Sequence, residues 1–158
     1  MRLLLAGVGR LRPAFRAACD EYLARLGRYA EVREVEVREA ARAGPPAVQR
    51  REEARRLQAA LPAGTRIVAL DIAGTPWSSE RLATQLERWR EAGHSPAFLI
   101  GGAVGLDPEV LDSAAHRWSL GPLTLPHELA RVVVAEQLYR GFTILRGEPY
   151  HKGDQRAR

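Results

Sequence analysis

The sequence has little of what builds disulfides, metal sites or membrane spans. Cys19 is the one cysteine among 158 residues, so no disulfide can form within the chain and a reducing cytoplasm is the expected location. The four histidines do not cluster, which argues against a metal site. No apolar run approaches the roughly 18 residues of a membrane-spanning helix. We therefore expect a soluble protein with no metal and no membrane partner.

Hydrophobic and charged residues are present in the proportions of one globular domain. The sequence is 46% hydrophobic and 27% charged, which excludes wholesale disorder. A chain of this length buries roughly 68 to 70% of the surface that its unfolded form exposes, which is enough for one core. We expect a single domain over residues 1–158, with residues 152–158 as a flexible tail.

Asparagine is absent and lysine occurs once, whereas 23 residues are arginine. The net charge of +5 is unevenly placed: residues 1–79 hold 14 basic and 9 acidic side chains, and residues 80–158 hold 10 of each. A basic half favours a polyanionic partner, because arginines that face phosphates release counterions. A GC-rich genome explains the same excess of arginine, so composition leaves nucleic-acid binding open.

Apolar periodicity alternates between short buried runs and helical stripes. Strands are predicted at residues 3–8, 32–37, 67–70, 97–100 and 118–120, and helices after Pro13, around residues 48–61, after Ser78 or Ser79, from Asp107 to about Ala115, and over residues 128–141. This order predicts an α/β fold with a mostly parallel sheet and helices on both faces. Ligands bind beyond the carboxyl ends of such strands, so functional residues are expected just after Leu70, Ile100 and Leu120.

A glycine-rich turn, IGGAVG at residues 100–105, follows one of these strands. Its GGxxG spacing differs from the GxGxxG fingerprint of dinucleotide sites, and no Lys-Ser or Lys-Thr pair follows it as in a P-loop. A phosphate cradle is therefore disfavoured. Two interpretations stay open: a tight turn into a helix, and close backbone contact with an uncharged cofactor.

The segment SLGPLTLPHE, residues 119–128, is apolar but unfavourable for a helix over most of its length. Backbone amides left free by such a segment can bond an adenine edge while leucine side chains sandwich the ring. An ordinary buried connection is the alternative. His127 and Glu128 do not begin a zinc-protease motif, because Arg131 stands where the second histidine is required.

The C-terminal segment RGEPYHK, residues 146–152, joins aromatic and basic side chains. Tyr150 and His151 suit stacking on an unpaired base and proton transfer near neutral pH. A frayed terminus is the alternative interpretation.

Taken together, these segments point to one family. The chain resembles the RlmH-type (YbeA-like) methyltransferases of the SPOUT superfamily in IGGAVGL, SLGPLTLPHELARVVVAEQLYRGFTI and RGEPYHK, and also in LLAGVGRLRPAF and VALDIAGTPWSSE. The likeness runs from about residue 2 to 152 in the same order. It implies a C-terminal trefoil knot, a homodimer, the cofactor S-adenosylmethionine, and methylation of N3 of a pseudouridine in the 23S rRNA of the assembled 70S ribosome.

The resemblance also assigns residues by position. The cofactor pocket falls on Leu70, Gly101, Gly102, Leu120, Gly121, Pro122, Leu123, Thr124 and Leu125. We hypothesise that His151 accepts the N3 proton or orients the base that does, and that Tyr150 stacks on or hydrogen-bonds the uracil ring. Arg131 is expected to stabilise the imide anion or to hold phosphate. Candidates for contact with the ribosome are Arg2, Arg10, Arg12 and Arg16.

One departure from the family pattern lies at the end of the chain, which continues for seven residues past His151. Two other functions stay open from the sequence. One is a non-catalytic ribosome-binding or assembly protein, against which the complete cofactor segments argue. The other is a SPOUT methyltransferase that acts on tRNA or on another rRNA position.

Overall fold

The computed structural model describes residues 1–150, so His151 and the tail at residues 152–158 lie outside the described residues. In chain order the elements are β1 (Arg2–Val8), α1 (Pro13–Leu26), β2 (Glu31–Val37), α2 (Pro46–Ala60), β3 (Arg66–Pro76), α3 (Ser79–Glu91), β4 (Pro96–Ile100), α4 (Pro108–Ser113), β5 (His116–Ser119) and α5 (His127–Leu145). Every predicted strand and helix is present, although several of them end at other residues.

The five strands form one sheet in the order β2-β1-β4-β3-β5. Every neighbouring pair of strands is parallel, which confirms the predicted sheet. All five residues of β4 are buried at the centre of the sheet, as expected for a parallel strand covered on both faces. Because the strands are parallel, the carboxyl ends of β3, β4 and β5 lie at one edge.

Helices cover both faces of the sheet, as predicted. One apolar core joins α1, α3 and α5 to the sheet through buried side chains such as Leu26, Leu86 and Leu138. A smaller core on the other face joins α2 and α4 to it through Leu57 and Val110. This architecture is consistent with the trefoil knot that the resemblance implies, and the knot itself stays a prediction.

Two elements extend beyond their predicted ends for identifiable reasons. Strand β3 has a bulge between Leu70 and Thr75, after which it pairs again with β5; no apolar pattern signals this second part. Helix α5 continues past Gly141, which lies where α5 packs on α3. A Cβ on Gly141 would stand 2.7 Å from Leu86 Cδ1, so glycine serves close helix packing at this position.

Candidate functional site

A cavity of about 250 Å³ lies at the carboxyl ends of β3, β4 and β5. Most of the predicted cofactor residues line it: Leu70, Gly101, Gly102, Leu120, Gly121, Leu123, Thr124 and Leu125. Pro122, the remaining predicted residue, is exposed and does not line the cavity. The structure therefore brings together three segments that are far apart in the sequence, and their role in cofactor binding stays a prediction.

The glycine turn forms one wall of this cavity. The Gly105 N–H donates to the Gly102 carbonyl oxygen over 3.0 Å, and Gly105 has a φ of +77°. A Cβ on Gly101 would lie 2.6 Å from the Gly105 carbonyl carbon and 2.8 Å from the Leu106 nitrogen. Both contacts are with backbone, which cannot rotate away as a side chain does. The turn therefore requires glycine at position 101.

The segment after β5 forms the facing wall, and Ser119 holds its start. The Ser119 hydroxyl accepts from the Gly121 N–H over 3.1 Å and lies 3.2 Å from the Ile72 carbonyl oxygen, to which it can donate. Ser119 is itself buried. It thereby fixes the loop against the bulged end of β3. Leu123, farther along, is 76% exposed at the rim.

The charge around this cavity is small. Among the described residues, Asp71 is the one carboxylate that lines it, and Arg117 donates to Asp71 Oδ2 over 2.6 and 2.9 Å. No arginine is among the lining residues in the described part of the chain. An apolar cavity with glycine walls suits a ring system and backbone hydrogen bonds, and it lacks the cations that hold phosphate.

The sequence interpretation missed several lining residues, namely Asp71, Ile72, Ile100, Gly105, Leu106, Trp118, His127 and Ala130. The strand-end rule could have found Ile100, which is the last residue of β4, whereas Asp71 and Ile72 lie in the bulge within β3 and not at its end at Pro76. His127 and Ala130 belong to the first turn of α5. Their position in the cavity wall depends on how α5 packs against the rest of the fold.

Arg131 lies beneath the site and not in it. Its side chain is only 3% exposed. It donates to the Gly9 carbonyl oxygen over 2.9 Å, to Glu34 Oε2 over 3.1 Å and to Glu36 Oε2 over 2.7 Å. Gly7 makes room for it, since a Cβ there would be 2.8 Å from Arg131 Nε. The guanidinium ties α5 to β1 and β2, and its predicted catalytic role stays a prediction.

Glu34 is the centre of this ion-pair cluster. Burial by itself raises the pKa of the Glu34 carboxyl, but the hydrogen bond and charge of Arg16, together with Arg131, outweigh burial and lower the pKa below its ordinary value of 4.5. Arg16 Nη2 lies 2.7 Å from Glu34 Oε1. Burial, followed by the charge of Glu34, raises the pKa of the Cys19 thiol to about 11, so Cys19 is a poor nucleophile at neutral pH.

The lowered pKa of Glu34 leads to a prediction about acid stability. A carboxyl with a lowered folded-state pKa stabilises the fold fully above its unfolded pKa, and this contribution is lost as the pH falls through the folded-state value. We expect Glu34→Gln to be less stable than the native chain at pH 7, and the difference to shrink below the ordinary value of 4.5. Urea unfolding at neutral pH and at about pH 3 measures this. A difference that is constant with pH would contradict it.

Tyr150, the other catalytic candidate among the described residues, lies along α5. Its hydroxyl donates to Glu136 Oε1 over 2.9 Å, and its ring centroid is 4.8 Å from that of Tyr139. Burial and then the Glu136 hydrogen bond raise the pKa of Tyr150 above its ordinary value. Glu136 lies six residues after Ala130, the cavity-lining residue of α5 nearest to it, which is about 9 Å along the helix. Within one chain, Tyr150 and the cavity are therefore separate.

The start of the C-terminal segment is held in place where it leaves α5. The Tyr29 hydroxyl donates to Glu148 Oε2 over 2.5 Å, and Gly147 takes a φ of +65°. The chain thereby turns back toward α1 and α5. His151, which follows, lies outside the described residues.

The four arginines proposed for ribosome contact differ in their surroundings. Arg12 donates to Glu128 through its backbone N–H and its Nε, over 2.7 and 2.8 Å, and Arg16 belongs to the Glu34 cluster. Arg2 pairs with Glu31 at the other end of the sheet. Arg10 is exposed, and no ion pair holds it within residues 1–150.

A comparison with known families identifies the family of this chain. A family described as "Predicted SPOUT methyltransferase" matches residues 1–151. The chain belongs to this SPOUT methyltransferase family. As a member of it, the chain is a methyltransferase and uses a methyl-donor cofactor.

Two similar relatives of this SPOUT methyltransferase cover nearly the whole chain. A protein of Sorangium cellulosum (strain So ce56) is 48% identical over 152 residues, which are 95% of this chain and 99% of that protein. A protein of Anaeromyxobacter sp. (strain Fw109-5) is 48% identical over 153 residues, 96% of this chain and 100% of that protein. Both are called "Ribosomal RNA large subunit methyltransferase H".

Solved structures show the same fold at low identity. A probable methylase family protein from Haemophilus influenzae Rd KW20 has a TM-score of 0.54 and 12% identity, covering 95% of this chain and 69% of that one. A probable methyltransferase from Bordetella pertussis Tohama I has a TM-score of 0.54 and 15% identity, covering 89% of this chain and 95% of that one.

The described residues contain neither a metal-ligand cluster nor a membrane-spanning helix. Residues 1–150 contain no group of three or more His, Cys, Asp or Glu side chains that is arranged to hold a metal ion. None of the helices within this range is both long and apolar enough to cross a membrane.

Proposed function

We propose that this SPOUT methyltransferase transfers a methyl group from S-adenosylmethionine to N3 of a pseudouridine in the 23S rRNA of the assembled 70S ribosome. The observation that carries the proposal is the cavity whose wall requires glycine at position 101, in a chain of this family. The names of the relatives support rRNA as the substrate. A ribosomal substrate also supports the cytoplasm as the location.

The cavity fits the proposed cofactor in its chemistry. S-adenosylmethionine supplies an electrophilic methyl group on a sulfonium and carries an adenosine but no phosphate. The absence of arginine from the described lining residues suits such a ligand. Leu120 and Leu125 offer apolar surface to a ring, and the Gly101–Gly102 backbone allows close approach.

The chain's own residues have two tasks in methyl transfer. They hold the base in line with the donor, because positioning supplies much of the acceleration, and they remove the proton of the imide N3. His151 is our candidate for the proton acceptor or for the group that orients it, and Tyr150 for stacking on the uracil ring or hydrogen-bonding it. Arg131 is the candidate for stabilising the imide anion.

A homodimer forms part of the proposal. In its own chain the Tyr150 hydroxyl contacts Glu136, which lies six residues and about 9 Å along α5 beyond the cavity-lining Ala130. This separation supports a second copy that brings its own tail to the cavity. Exposed apolar side chains support such a partner: Ile72 and Leu123, which line the cavity, are 58% and 76% exposed, and Leu129 in the first turn of α5 is 36% exposed. The cavity of about 250 Å³ is smaller than the roughly 300 to 1,000 Å³ of ordinary ligand sites. A partner subunit beside the cavity would add a further wall and enclose a larger volume.

Transfer of labelled methyl from S-adenosylmethionine to intact ribosomes, separated subunits and naked rRNA tests the function. We expect label on the large-subunit rRNA of intact ribosomes, mapped to N3 of one pseudouridine. Label on tRNA alone would refute the ribosomal substrate. If calorimetry detects no binding of S-adenosylmethionine at millimolar concentration, a non-catalytic ribosome-binding protein is the better interpretation.

The catalytic assignments make a separate prediction. His151→Ala is expected to slow methyl transfer on saturating ribosomes by about 100-fold, since general acid–base groups contribute roughly 10² to 10⁴. Tyr150→Phe is expected to slow it by about tenfold, since it keeps the ring for stacking and removes one hydrogen bond to the uracil. The affinity for S-adenosylmethionine, measured by calorimetry, should stay within about twofold, because neither side chain belongs to the proposed cofactor pocket. Unchanged methylation rates in both variants would show that the tail assignment is wrong.

A further inference from the structure

A second and larger cavity, of about 530 Å³, lies at the opposite edge of the sheet, where the strands begin. We call it the amino-edge groove, and its lining residues are Arg2–Leu4, Glu31, Arg33, residues 62–66 and residues 93–96. These residues come from the starts of β1 to β4 and from the turns that precede β3 and β4. Within residues 1–150, the groove shares no lining residue with the cavity at the carboxyl ends of β3, β4 and β5.

The groove is basic, and two of its arginines are not engaged by carboxylates. Its described lining holds Arg2, Arg33 and Arg66 against the single carboxylate of Glu31. Arg33 and Arg66 are exposed, and neither has an ion pair within residues 1–150. Arg2 Nε is 3.1 Å from Glu31 Oε2, with both side chains more than 70% exposed. Exposed pairs are weak, so a phosphate can displace Glu31 from Arg2.

The spacing of these cations suits a strand of nucleic acid. Arg33 on β2 is in register with Leu4 on β1 and Ala97 on β4, whereas Arg66 on β3 pairs with Pro96, one residue earlier. The two arginines therefore leave the sheet on opposite faces, and both line the groove at its amino edge. Three strand spacings of about 4.8 Å separate the two backbones by roughly 14 Å. A nucleic-acid strand carries several phosphates over that length.

The lining chemistry points to backbone phosphates and not to bases. Guanidinium groups match the geometry of phosphate oxygens. No Phe, Tyr or Trp is among the lining residues in the described part of the chain, and His94 is the one ring available for stacking. The groove therefore offers charge without a platform for base recognition.

We propose that the amino-edge groove binds backbone phosphates of an rRNA segment remote from the methylated base. This inference rests on the rRNA substrate of the proposed function. The seven residues of β1, at about 3.3 Å each, separate the two edges of the sheet by roughly 20 Å. The groove therefore contributes to ribosome affinity and takes no part in methyl transfer.

Salt-dependent ribosome binding by charge variants tests the groove. The double variant Arg33→Gln/Arg66→Gln is expected to raise the KM for ribosomes about tenfold, with kcat at saturating ribosomes and the Kd for S-adenosylmethionine unchanged. Loss of two phosphate contacts should also reduce the slope of log affinity against log salt by about 1.4 to 1.8. The Glu31→Gln variant should bind ribosomes two- to threefold more tightly, since it removes the carboxylate that competes with phosphate for Arg2.

Arg51→Gln is the matched control, because Arg51 is exposed on α2, outside the groove. It removes one positive charge, as each of the two substitutions in the double variant does, and should leave the KM and the salt slope at native values. A native KM and a native salt slope in the double variant would refute phosphate binding by the groove and leave the proposed methyltransferase function intact. Equal weakening by Arg51→Gln would show a diffuse effect of net charge and overturn it as well. Failure of the native chain to methylate any ribosomal particle would instead refute the proposed function.

Discussion

Gly101→Ala is expected to lower the affinity for S-adenosylmethionine by about 100-fold. The new Cβ would lie 2.6 Å from the Gly105 carbonyl carbon, 2.8 Å from the Leu106 nitrogen and 2.9 Å from the Gly105 oxygen. Relief of these contacts requires the turn to open, which displaces the wall of the proposed cofactor pocket. A misplacement of about 1 Å in such a site costs on the order of 100-fold in reaction rate, and we expect a loss of similar size in affinity for the cofactor. Calorimetry with S-adenosylmethionine measures the change directly.

Gly27→Ala is the matched control for this variant. Gly27 ends α1 with an ordinary helical φ of −59°, and a Cβ there would meet nothing closer than 3.4 Å. The same chemical change should therefore leave cofactor affinity as it is. The far-UV circular dichroism of both variants should match that of the native chain. Native affinity in a folded Gly101→Ala variant would show that the glycine turn does not form the cofactor pocket.

Arg131→Met is expected to destabilise the fold by about 3 kcal/mol. Removing one partner of a buried ion pair usually costs about 3 to 5 kcal/mol, because the other charge is left uncompensated. The lower end applies because Arg16 still contacts Glu34 and Glu36. For a chain of this size each kcal/mol lowers Tm by about 2 to 4 °C. We therefore expect Tm to fall by roughly 6 to 12 °C in calorimetry, with a matching shift in urea unfolding.

Two further variants separate electrostatics from packing at this position. Arg55→Met removes the exposed partner of Glu52 and should leave Tm nearly unchanged. Adding Glu34→Gln to Arg131→Met should recover part of the lost stability, because it removes a carboxylate that has lost a partner. A native Tm in Arg131→Met would contradict a structural role for the cluster.

Arg131→Lys tests the catalytic hypothesis for the same residue. Lysine keeps the charge but loses the planar fork that reaches the Gly9 carbonyl oxygen and both carboxylates. If Arg131 acts only in the fold, kcat should follow stability and be native at a temperature where the variant is folded. Methyl transfer slowed by about 100-fold or more, in a folded variant with native cofactor affinity, would support the role in stabilising the imide anion.

Sequence patterns predicted the position of the cavity but only part of its lining. A strand that ends in glycines and an apolar segment with little helical tendency pointed to positions 101 and 120–125, and the cavity contains most of them. Asp71 and Ile72 escaped because they sit in a bulge of β3, which depends on pairing with β5. Pro122 shares the segment with its neighbours but does not line the cavity, since an irregular loop has no fixed side-chain period.

Charge could not be interpreted from the sequence in the same way. Nothing in the sequence distinguishes the arginines that form ion pairs from those that do not. Carboxylates from other segments of the chain pair with Arg12, Arg16 and Arg131. Arg33 and Arg66 have no such partner within residues 1–150. Arg131 and Glu36 are 95 residues apart and 2.7 Å from each other in the fold. No local pattern encodes such a pair, because it depends on how α5 packs over β1 and β2.

The sequence by itself determined the order of strands and helices, the parallel sheet, the family, and the position of the cavity at the strand ends. The order of elements and the sheet follow from the hydrophobic period and from glycine and proline, which act over a few residues. The family follows from the resemblance of whole segments. Only the tertiary structure decided which arginines are engaged by carboxylates, that Gly101 is required by backbone contact with Gly105, and that Tyr150 lies along α5 away from the cavity in its own chain. The physical reason is that contacts between distant segments depend on packing, whereas local propensity depends on neighbours alone.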